Sequence, residues 1–263
     1  MTILRSSRSA SEVLSERPAV LVISGSDSSA GAGIIRDVRA LADLGVEALC
    51  AITAVTAQTH CHVVSVHHVP QEVVRAQIHA ALESRAIGAI KIGMLATRET
   101  VNAVADCLPR HGNIPVVLDP VLSSSSGGVL LDEAGREAMR TRLFPMTTVL
   151  TPNIPEAAGL CSAAVAVSPD ARLAQARLLL STGIHAVLLK GGHAEGAEAA
   201  DLLLARNGEP QWLIAPRLDA RCRGTGCALA SAIAAGLASG SSLPEACRRA
   251  KQYVLSLLSN SRS

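Results

Sequence analysis

The chain has 263 residues, of which 49% are hydrophobic and 17% are charged, and its formal net charge at pH 7 is +2. This balance is typical of a globular protein with a sizeable core and excludes an extended disordered chain. With one Phe, one Trp and one Tyr and almost no net charge, the composition offers neither a stacking platform nor a basic surface for nucleic-acid or membrane partners.

The first 17 residues are polar and lack the apolar core of a signal peptide, so we expect a disordered tail over residues 1–17. We expect residues 18–263 to form a single domain, since no Ser/Pro linker or internal repeat divides them. The seven cysteines are odd in number and include no CxxC pair, which favours reduced thiols and a cytoplasmic location. No apolar run reaches the length of a membrane span.

Short apolar runs with strand character alternate with longer helical patterns. Strands are predicted at 19–24, 47–51, 63–69, 87–92, 115–118, 147–150, 185–189, 201–204 and 211–214. Helices are predicted near 31–44, 71–85, 97–110, 133–142, 169–182, 226–239 and 243–258. This alternation predicts an α/β fold with a mainly parallel sheet covered by helices on both faces. Between the last two strands, Asn207-Gly208 predicts a hairpin.

Polar and glycine-rich segments follow the ends of five predicted strands, at 24–33, 93–95, 119–128, 151–156 and 190–193. In open α/β sheets, ligands bind beyond the carboxyl ends of the strands. We therefore expect these segments to converge on one edge of the sheet and to form a ligand site there.

The glycine-rich loop 24–33 does not have the GxGxxG spacing of a dinucleotide-binding loop, and the chain contains no Gly-Lys-Ser/Thr phosphate loop. We interpret the loop as a place where the backbone approaches a small substrate, with Asp27 or Asp37 supplying a carboxylate. A capping or structural role for Asp27 explains the local pattern equally well.

Asp119, Asn153 and Glu156 place oxygen atoms after two predicted strands. Asn153 and Glu156 have the spacing of a capping box at a helix start. Hydrated Mg²⁺ also prefers such oxygen ligands. Asp119 stands at a strand end, where metal-binding or catalytic carboxylates are common. From the residues alone, capping and metal binding both remain open.

The chain has only three lysines among its 24 basic residues, namely Lys91, Lys190 and Lys251. Lys91 and Lys190 follow apolar runs, which suggests that a compact point charge is needed at those strand ends, although chance is the simpler explanation. Lys190 precedes a Gly-Gly pair from which an ammonium can reach phosphate oxygens. The histidines at 60, 62, 67 and 68 do not have metal-ligand spacing.

Residues 224–227 read Gly-Thr-Gly-Cys and precede a stretch of small residues. Glycines at a helix start let successive backbone N–H groups point at one anion, and the helix dipole adds to that attraction. Cys227 falls in the first helical turn, where we expect the pKa of its thiol to be lowered. An ordinary helix start with a buried cysteine is the alternative to a phosphoryl-transfer site.

Together these segments resemble the hydroxymethylpyrimidine/phosphomethylpyrimidine kinase family of the ribokinase-like superfamily. The matching motifs are Gly25-Ser-Asp-Ser-Ser-Ala-Gly-Ala-Gly33 with Asp37, Ala51-Ile-Thr-Ala54 with Ala57-Gln58, Lys91-Ile-Gly-Met94-Leu, Asp119-Pro-Val, Thr151-Pro-Asn-Ile-Pro-Glu-Ala, Lys190-Gly-Gly-His193 and Gly224-Thr-Gly-Cys227. They occur in the family's order and span about residues 19–255.

The resemblance implies a ribokinase-like three-layer αβα sandwich, a homodimer, and the use of ATP and Mg²⁺. The implied activity is phosphorylation of 4-amino-5-hydroxymethyl-2-methylpyrimidine, followed by phosphorylation of its monophosphate to the diphosphate. Nucleic-acid and membrane partners are not expected.

By position, the resemblance also implies roles for individual residues. Gly224, Thr225 and Gly226 would form an anion hole, and Cys227 would be the catalytic base. The pyrimidine would be bound by Gly25, Asp37, Gln58 and Met94. Lys190, Asn153 and Arg223 would contact phosphates, and Asp119 and Glu156 would organise Mg²⁺ and its waters.

Three positions depart from the family's usual pattern. Ser28 and Ala30 stand where Pro and Gly are more common, and Arg223 stands where His is frequent. Two other functions stay open at this point. One is a pyridoxal kinase of the same superfamily, and the other is a pyrimidine-binding protein that has lost catalysis.

Overall fold

The computed structural model describes residues 17–108, 114–124, 128–192, 196–219 and 222–260. Apart from Arg17, the predicted N-terminal tail lies outside the described residues, and so does His193 of the Lys190-Gly-Gly-His193 motif.

Nine strands form one sheet in the order β3-β2-β1-β4-β5-β6-β7-β8-β9. Their bounds are β1 Ala19–Asp27, β2 Glu47–Gln58, β3 Val63–His68, β4 Ala89–Ile92, β5 Val116–Leu118, β6 Val149–Leu150, β7 Ala186–Leu189, β8 Glu198–Ala205 and β9 Gln211–Pro216. The six central strands from β2 to β7 run parallel. Antiparallel pairing of β3 with β2, and of β8 and β9 beyond β7, completes the two edges.

The described residues also form eight α-helices. Their bounds are α1 Gly33–Asp43, α2 Gln71–Ser84, α3 Arg98–Cys107, α4 Glu133–Ala138, α5 Ile154–Cys161, α6 Pro169–Leu180, α7 Thr225–Ala238 and α8 Leu243–Asn260. A π-turn over Met139–Leu143 and a 3₁₀ turn over Phe144–Met146 follow α4. None of the helices in the described ranges combines the length and apolar character needed to cross a bilayer.

Two apolar cores lie on opposite faces of the sheet, because alternate side chains of a strand point to opposite sides. In β1, Leu21 and Ile23 pack into the core that α2, α3 and α6 cover. Val20 and Val22 pack into the core that α1, α7 and α8 cover. All four side chains are 0% exposed, which is why the sequence of β1 is a continuous apolar run rather than an alternating one.

The predicted mainly parallel sheet with helices on both faces is confirmed. The hairpin around Asn207-Gly208 joins β8 to β9, as predicted. β1 and β2 run further than predicted, to Asp27 and Gln58, because the two strands stay paired beyond a shift in register between Ser24 and Ser26. This extension carries the polar end of each strand to the edge of the sheet where the site forms.

Candidate active site

Lys190 and Asp119 meet at the carboxyl edge of the sheet. Asp119 follows the last residue of β5 and Lys190 follows the last residue of β7, with β6 between the two strands. Lys190 Nζ lies 2.8 Å from Asp119 Oδ1 and 3.9 Å from Glu156 Oε2. Thr151, the residue after β6, donates from Oγ1 to the same Asp119 oxygen over 3.3 Å. Three adjacent strands thus build one charged cluster.

Asn153 and Glu156 form a capping box at the start of α5. Asn153 Oδ1 accepts from the Glu156 N–H over 2.7 Å, and Glu156 Oε2 accepts from the Asn153 N–H over 2.8 Å. The capping interpretation is therefore confirmed. It also fixes the Glu156 carboxylate beside Lys190, so that capping and a role at the charged cluster are compatible.

The oxygen set of the cluster suits a magnesium ion. Among the described residues, no group of three or more His, Cys, Asp or Glu side chains is arranged to hold a metal by itself. Mg²⁺ needs only one or two carboxylates when waters and substrate phosphates complete its shell. The Asp119 and Glu156 carboxylates meet that requirement.

Burial and mutual charge set the protonation of the cluster. Burial raises the pKa of Glu156, Lys190 opposes this change and the Asp119 carboxylate adds to it, so that the net pKa is about 7. Burial by itself lowers the pKa of Lys190, but the attraction of Asp119 and Glu156 outweighs it and the net shift is upward. Lys190 is therefore a permanent cation, whereas Glu156 titrates near neutral pH.

The Gly224-Thr-Gly-Cys227 segment lies against this charged cluster. Gly224 is the N-cap of α7 with φ +72°, and a Cβ there would come within 2.4 Å of the Gly31 carbonyl oxygen. A Cβ on Gly226 would lie 3.2 Å from Lys190 Nζ and 3.8 Å from Asp119 Oδ2. The glycines thus let the first turn of α7 approach both the loop after β1 and the Lys190–Asp119 pair, as an anion cradle requires.

The pKa of Cys227 contradicts the expectation from its position at a helix start. Burial is the main cause that raises the pKa of the thiol, the carboxylates of Asp37 and Asp119 add to it, and the net pKa is about 11. Lys91 and the Gly33 N–H, which donates to the sulfur, act in the opposite direction but are weaker. The prediction of a lowered pKa was wrong because it considered the helix end and not the burial of the thiol or the acidic groups around it.

Asp37 belongs to a buried network rather than to the open surface of the site. Its Oδ2 accepts from Lys91 Nζ over 2.8 Å and its Oδ1 from Ser231 Oγ over 2.8 Å. The side chains of Asp37 and Lys91 are both 0% exposed. The Asp37 carboxylate is thus bonded to Lys91 and Ser231 in this structure, and its role in binding the substrate stays a prediction.

Gly25 and Met94 contact each other at the start of the Gly-rich loop, and Gln58 is the last residue of β2. A Cβ on Gly25 would lie 2.8 Å from Met94 Sδ, so the two residues pack directly. The Gln58 side-chain oxygen accepts from Thr56 Oγ1 over 3.2 Å, which leaves it a second lone pair and leaves the NH₂ group to donate. Gly25 and Met94 thus provide an apolar surface, and Gln58 provides one side-chain amide.

Ser28 ties the Gly-rich loop to Gln58. Its hydroxyl donates to the Gln58 carbonyl over 2.9 Å and accepts from the Gln58 N–H over 2.8 Å. Ala30, in the same loop, has φ +57°, a backbone conformation that glycine adopts more easily. Both departures from the family's usual residues therefore affect the shape of this loop.

Arg223 joins three segments of the site. Its Nη1 donates to the Thr59 carbonyl over 2.8 Å and to Ser29 Oγ over 3.1 Å, and its Nη2 lies 3.5 Å from Asp27 Oδ2. Asp27 in turn accepts from the Ser29 and Ala32 N–H groups, which gives it a structural role within the loop, although the N-cap of α1 is Ala32 and not Asp27. Arg223 thus holds the loop after β1 against the end of β2 from a position next to the cradle.

The sequence pattern predicts no contact in the site for Ser28, Thr151 or Ser231. Ser28 and Ser231 act across long sequence separations, so local patterns carry no trace of them. Thr151 stands in a quoted motif, and its position directly after a strand was the available signal.

The fold and the site define the class of protein. The chain has a mainly parallel sheet between two helical layers. A glycine-rich helix start and a lysine–carboxylate cluster lie at the carboxyl edge of this sheet. Together these are the features of a ribokinase-like small-molecule kinase. A family model described as "Phosphomethylpyrimidine kinase" matches residues 27–263. The chain belongs to this family and is therefore a phosphotransferase.

Individual relatives and solved structures show the same similarity. The chain is 45% identical over 238 residues to the hydroxymethylpyrimidine/phosphomethylpyrimidine kinase of Streptomyces coelicolor, covering 90% of this chain and 87% of the relative. The phosphomethylpyrimidine kinase of Clostridium difficile superposes with a TM-score of 0.80 at 33% identity, over 92% of this chain and 99% of the other. The pyridoxal kinase of Staphylococcus aureus, solved with AMP-PCP and pyridoxal, superposes with a TM-score of 0.84 at 29% identity, over 92% and 88%.

Proposed function

We propose that the chain transfers the γ-phosphoryl group of ATP to 4-amino-5-hydroxymethyl-2-methylpyrimidine, and then phosphorylates the monophosphate to the diphosphate, in thiamine biosynthesis. The observation that carries this proposal is the close approach of Gly226 to Lys190: a Cβ added at Gly226 would lie 3.2 Å from Lys190 Nζ. An anion cradle and a buried cation thereby face one point from two sides. Phosphoryl transfer depends mainly on such positioning and charge stabilisation.

The donor side of the site consists of Lys190 and the start of α5. Lys190 is paired with Asp119 until nucleotide phosphates compete for its ammonium. Asn153, held by the capping box, places its amide beside the same cluster. Asp119 and Glu156 would hold Mg²⁺ through its waters, and the ion would supply charge neutralisation for the transferring phosphates.

The cradle stabilises the transferring group. The N–H groups of Thr225, Gly226 and Cys227 open α7, so their hydrogen-bonding capacity is not used within the helix. They are oriented before the substrate arrives, which is the condition under which such donors stabilise developing charge most strongly.

Cys227 is the group we assign to receive the proton of the hydroxymethyl group. With a pKa of about 11 the thiol is mostly protonated at neutral pH, so the base is a minor thiolate population. The loose transition state of phosphoryl transfer eases this demand, since the hydroxyl loses its proton late. The network of Lys91 and Asp37 affects the thiolate population of Cys227, because Lys91 is the group that lowers the pKa of the thiol most.

The acceptor is held by Gly25, Met94 and Gln58. Met94 is 8% exposed and packs with Ala54 and Ala96, so a planar ring can rest on an apolar floor. The Gln58 amide can donate to a ring nitrogen and accept from an exocyclic amino group, which is the pattern of an aminopyrimidine edge. Arg223 lies between this site and the cradle, where a phosphate on the acceptor would meet a cation.

A pyridoxal kinase is the second candidate, because the Staphylococcus aureus pyridoxal kinase shares the fold. The family model and the 45% identity to a hydroxymethylpyrimidine kinase favour the pyrimidine substrate. A non-catalytic pyrimidine-binding protein would have no need to retain the Lys190, Glu156 and Cys227 constellation.

We also propose that residues 18–263 act as one kinase domain, that the protein is cytoplasmic and that it forms a homodimer. Size-exclusion chromatography with light scattering tests the homodimer, and a monomer at micromolar concentration would contradict it.

The function itself is tested by following the products of the pyrimidine alcohol and ATP with ³¹P NMR. The monophosphate should appear first and the diphosphate later. Hydrolysis of ATP without either product would overturn the proposal.

A further inference from the structure

Each of the three lysines in the chain forms a largely buried ion pair with an aspartate. Lys91 pairs with Asp37 at 2.8 Å, Lys190 with Asp119 at 2.8 Å, and Lys251 with Asp201 at 2.7 Å. The first two pairs belong to the site already described. The third joins the last helix, α8, to β8, and its side chains are only 12% and 9% exposed.

Asp201 connects this third pair to the donor side of the active site. Its Oδ2 accepts from Lys251 Nζ, and its Oδ1 accepts from the Gly191 N–H over 2.7 Å. Gly191 is the residue directly after Lys190. Lys251 Nζ also donates to the Ala199 carbonyl over 2.8 Å, which fixes the ammonium on β8.

The backbone at Gly191 has very little freedom. A Cβ at this position would come within 1.9 Å of the Ala200 carbonyl oxygen, so the chain passes directly against β8. Arg217 also holds this part of the chain, since it donates to the Gly192 carbonyl over 2.6 Å and to the Gly196 carbonyl over 2.8 Å. The turn at Gly191-Gly192, directly after Lys190, is therefore held by two groups. The Asp201 carboxylate binds the Gly191 N–H, and the Arg217 guanidinium binds the Gly192 carbonyl.

We propose that Asp201 and Lys251 are a positioning pair for nucleotide binding, which acts through the Gly191 N–H on the position of Lys190. Asp201 orients the turn, and Lys251 holds the Asp201 carboxylate in place through their ion pair. Loss of either group leaves a buried charge without its partner and lets the turn shift. This inference rests on the proposed contact of Lys190 with ATP phosphates.

The test compares Lys251→Met, Asp201→Asn and Lys251→Arg in steady-state assays. In the first two variants the KM for ATP should rise about five- to tenfold, while the KM for the pyrimidine alcohol stays within about twofold. Lys251→Arg keeps the charge and should recover the KM for ATP to within about threefold of the unmodified protein. Equal increases in both KM values, or an unchanged KM for ATP, would overturn the proposal.

The matched control is Arg75→Met, which removes the exposed Arg75–Asp106 ion pair between α2 and α3. It should leave both KM values unchanged. Folding is checked by denaturation monitored at Trp212, which pairs with Leu202 next to Asp201. Where a variant is too unstable for kinetics, the dissociation constant of AMP-PCP measured by calorimetry below its unfolding temperature replaces the KM, with the same expected ratio.

A double variant separates this inference from the proposed function. If the pair acts through Lys190, then Lys251→Met should change the KM for ATP by less than about twofold in a Lys190→Ala background. A full additional increase would overturn the positioning role. If Lys190→Ala alone leaves the KM for ATP unchanged, the assignment of Lys190 fails instead.

Discussion

Lys190 Nζ lies 2.8 Å from Asp119 Oδ1, in a pair of side chains that are 13% and 3% exposed. The pair spans β5 and β7 and lies under the first turn of α7. An ammonium held this way neutralises the carboxylate and is positioned for the proposed contact with phosphate oxygens.

Lys190→Ala should raise the KM for ATP about tenfold or more, since a charge-assisted hydrogen bond is lost. The KM for the pyrimidine alcohol should change little, because its proposed site at Gly25, Met94 and Gln58 does not include Lys190. Lys190→Arg keeps the charge but places a wider, planar group beneath Gly226, so it should recover only part of the loss. Initial-rate kinetics with each substrate varied in turn measure these effects, and an unchanged KM for ATP would contradict the assignment.

Gly226→Ala should reduce kcat about tenfold or more, because the new Cβ would lie 3.2 Å from Lys190 Nζ and displace either the ammonium or the cradle. Gly159→Ala in α5 is the matched control, since its Cβ would meet only Leu122 Cδ1 at 3.6 Å. The control should keep full activity. Equal activity in the two variants would show that the close approach of α7 to Lys190 has no part in turnover.

Cys227→Ala should lower kcat about 100- to 10,000-fold while the KM for the pyrimidine alcohol stays within about threefold, as expected for loss of a general base. Substrate binding measured by calorimetry should be retained. Unchanged turnover in this variant would exclude the role of Cys227 as base.

The pH dependence of kcat should follow the thiolate of Cys227. Because the pKa of the thiol is about 11, the thiolate fraction and hence kcat should rise about tenfold per pH unit between pH 7 and 9, provided that chemistry limits the rate. Cys227→Asp, whose carboxylate is ionised throughout this range, should give a much flatter profile. Parallel profiles for the two proteins would refute the thiolate mechanism.

Lys91→Met should destabilise the fold by about 3–5 kcal/mol, because it leaves the Asp37 carboxylate buried without its partner. Replacing both residues, as Lys91→Met with Asp37→Leu, should recover most of that stability, since no unpaired charge remains. Urea denaturation followed by circular dichroism measures the difference. A double variant no more stable than the single one would contradict this explanation.

Arg223→Ala should raise the KM for the pyrimidine alcohol about fivefold, since the loop after β1 loses its hydrogen bonds to the guanidinium. The KM for the monophosphate should rise more, because a cation beside the acceptor phosphate is also lost. Competition assays with both acceptors measure the ratio. Equal increases in the two KM values would show that Arg223 only holds the loop and does not contact the acceptor phosphate.

The sequence predicted the features that depend on local patterns. Apolar runs such as 19–24 located the strands, and the Asn153–Glu156 spacing located a capping box that the structure confirms. The polar segments after the strands were expected to converge, and Asp119, Lys190 and Gly226 do so.

Features that depend on distant partners were not predicted from the sequence. The pKa of Cys227 is set by burial and by Asp37 and Asp119, which lie far from it along the chain. The guanidinium of Arg223 was assigned to phosphates, yet here it contacts Thr59 and Ser29, which only the fold brings within reach. The bond between Asp37 and Lys91 likewise joins residues that are 54 positions apart in the sequence.

The substrate is the central claim, and the ratio of kcat/KM for the pyrimidine alcohol to kcat/KM for pyridoxal tests it most directly. Both alcohols are assayed under the same conditions with saturating ATP and Mg²⁺. A ratio well above one is expected, because Gln58 and Met94 suit an aminopyrimidine. A much higher kcat/KM for pyridoxal would contradict the proposed function.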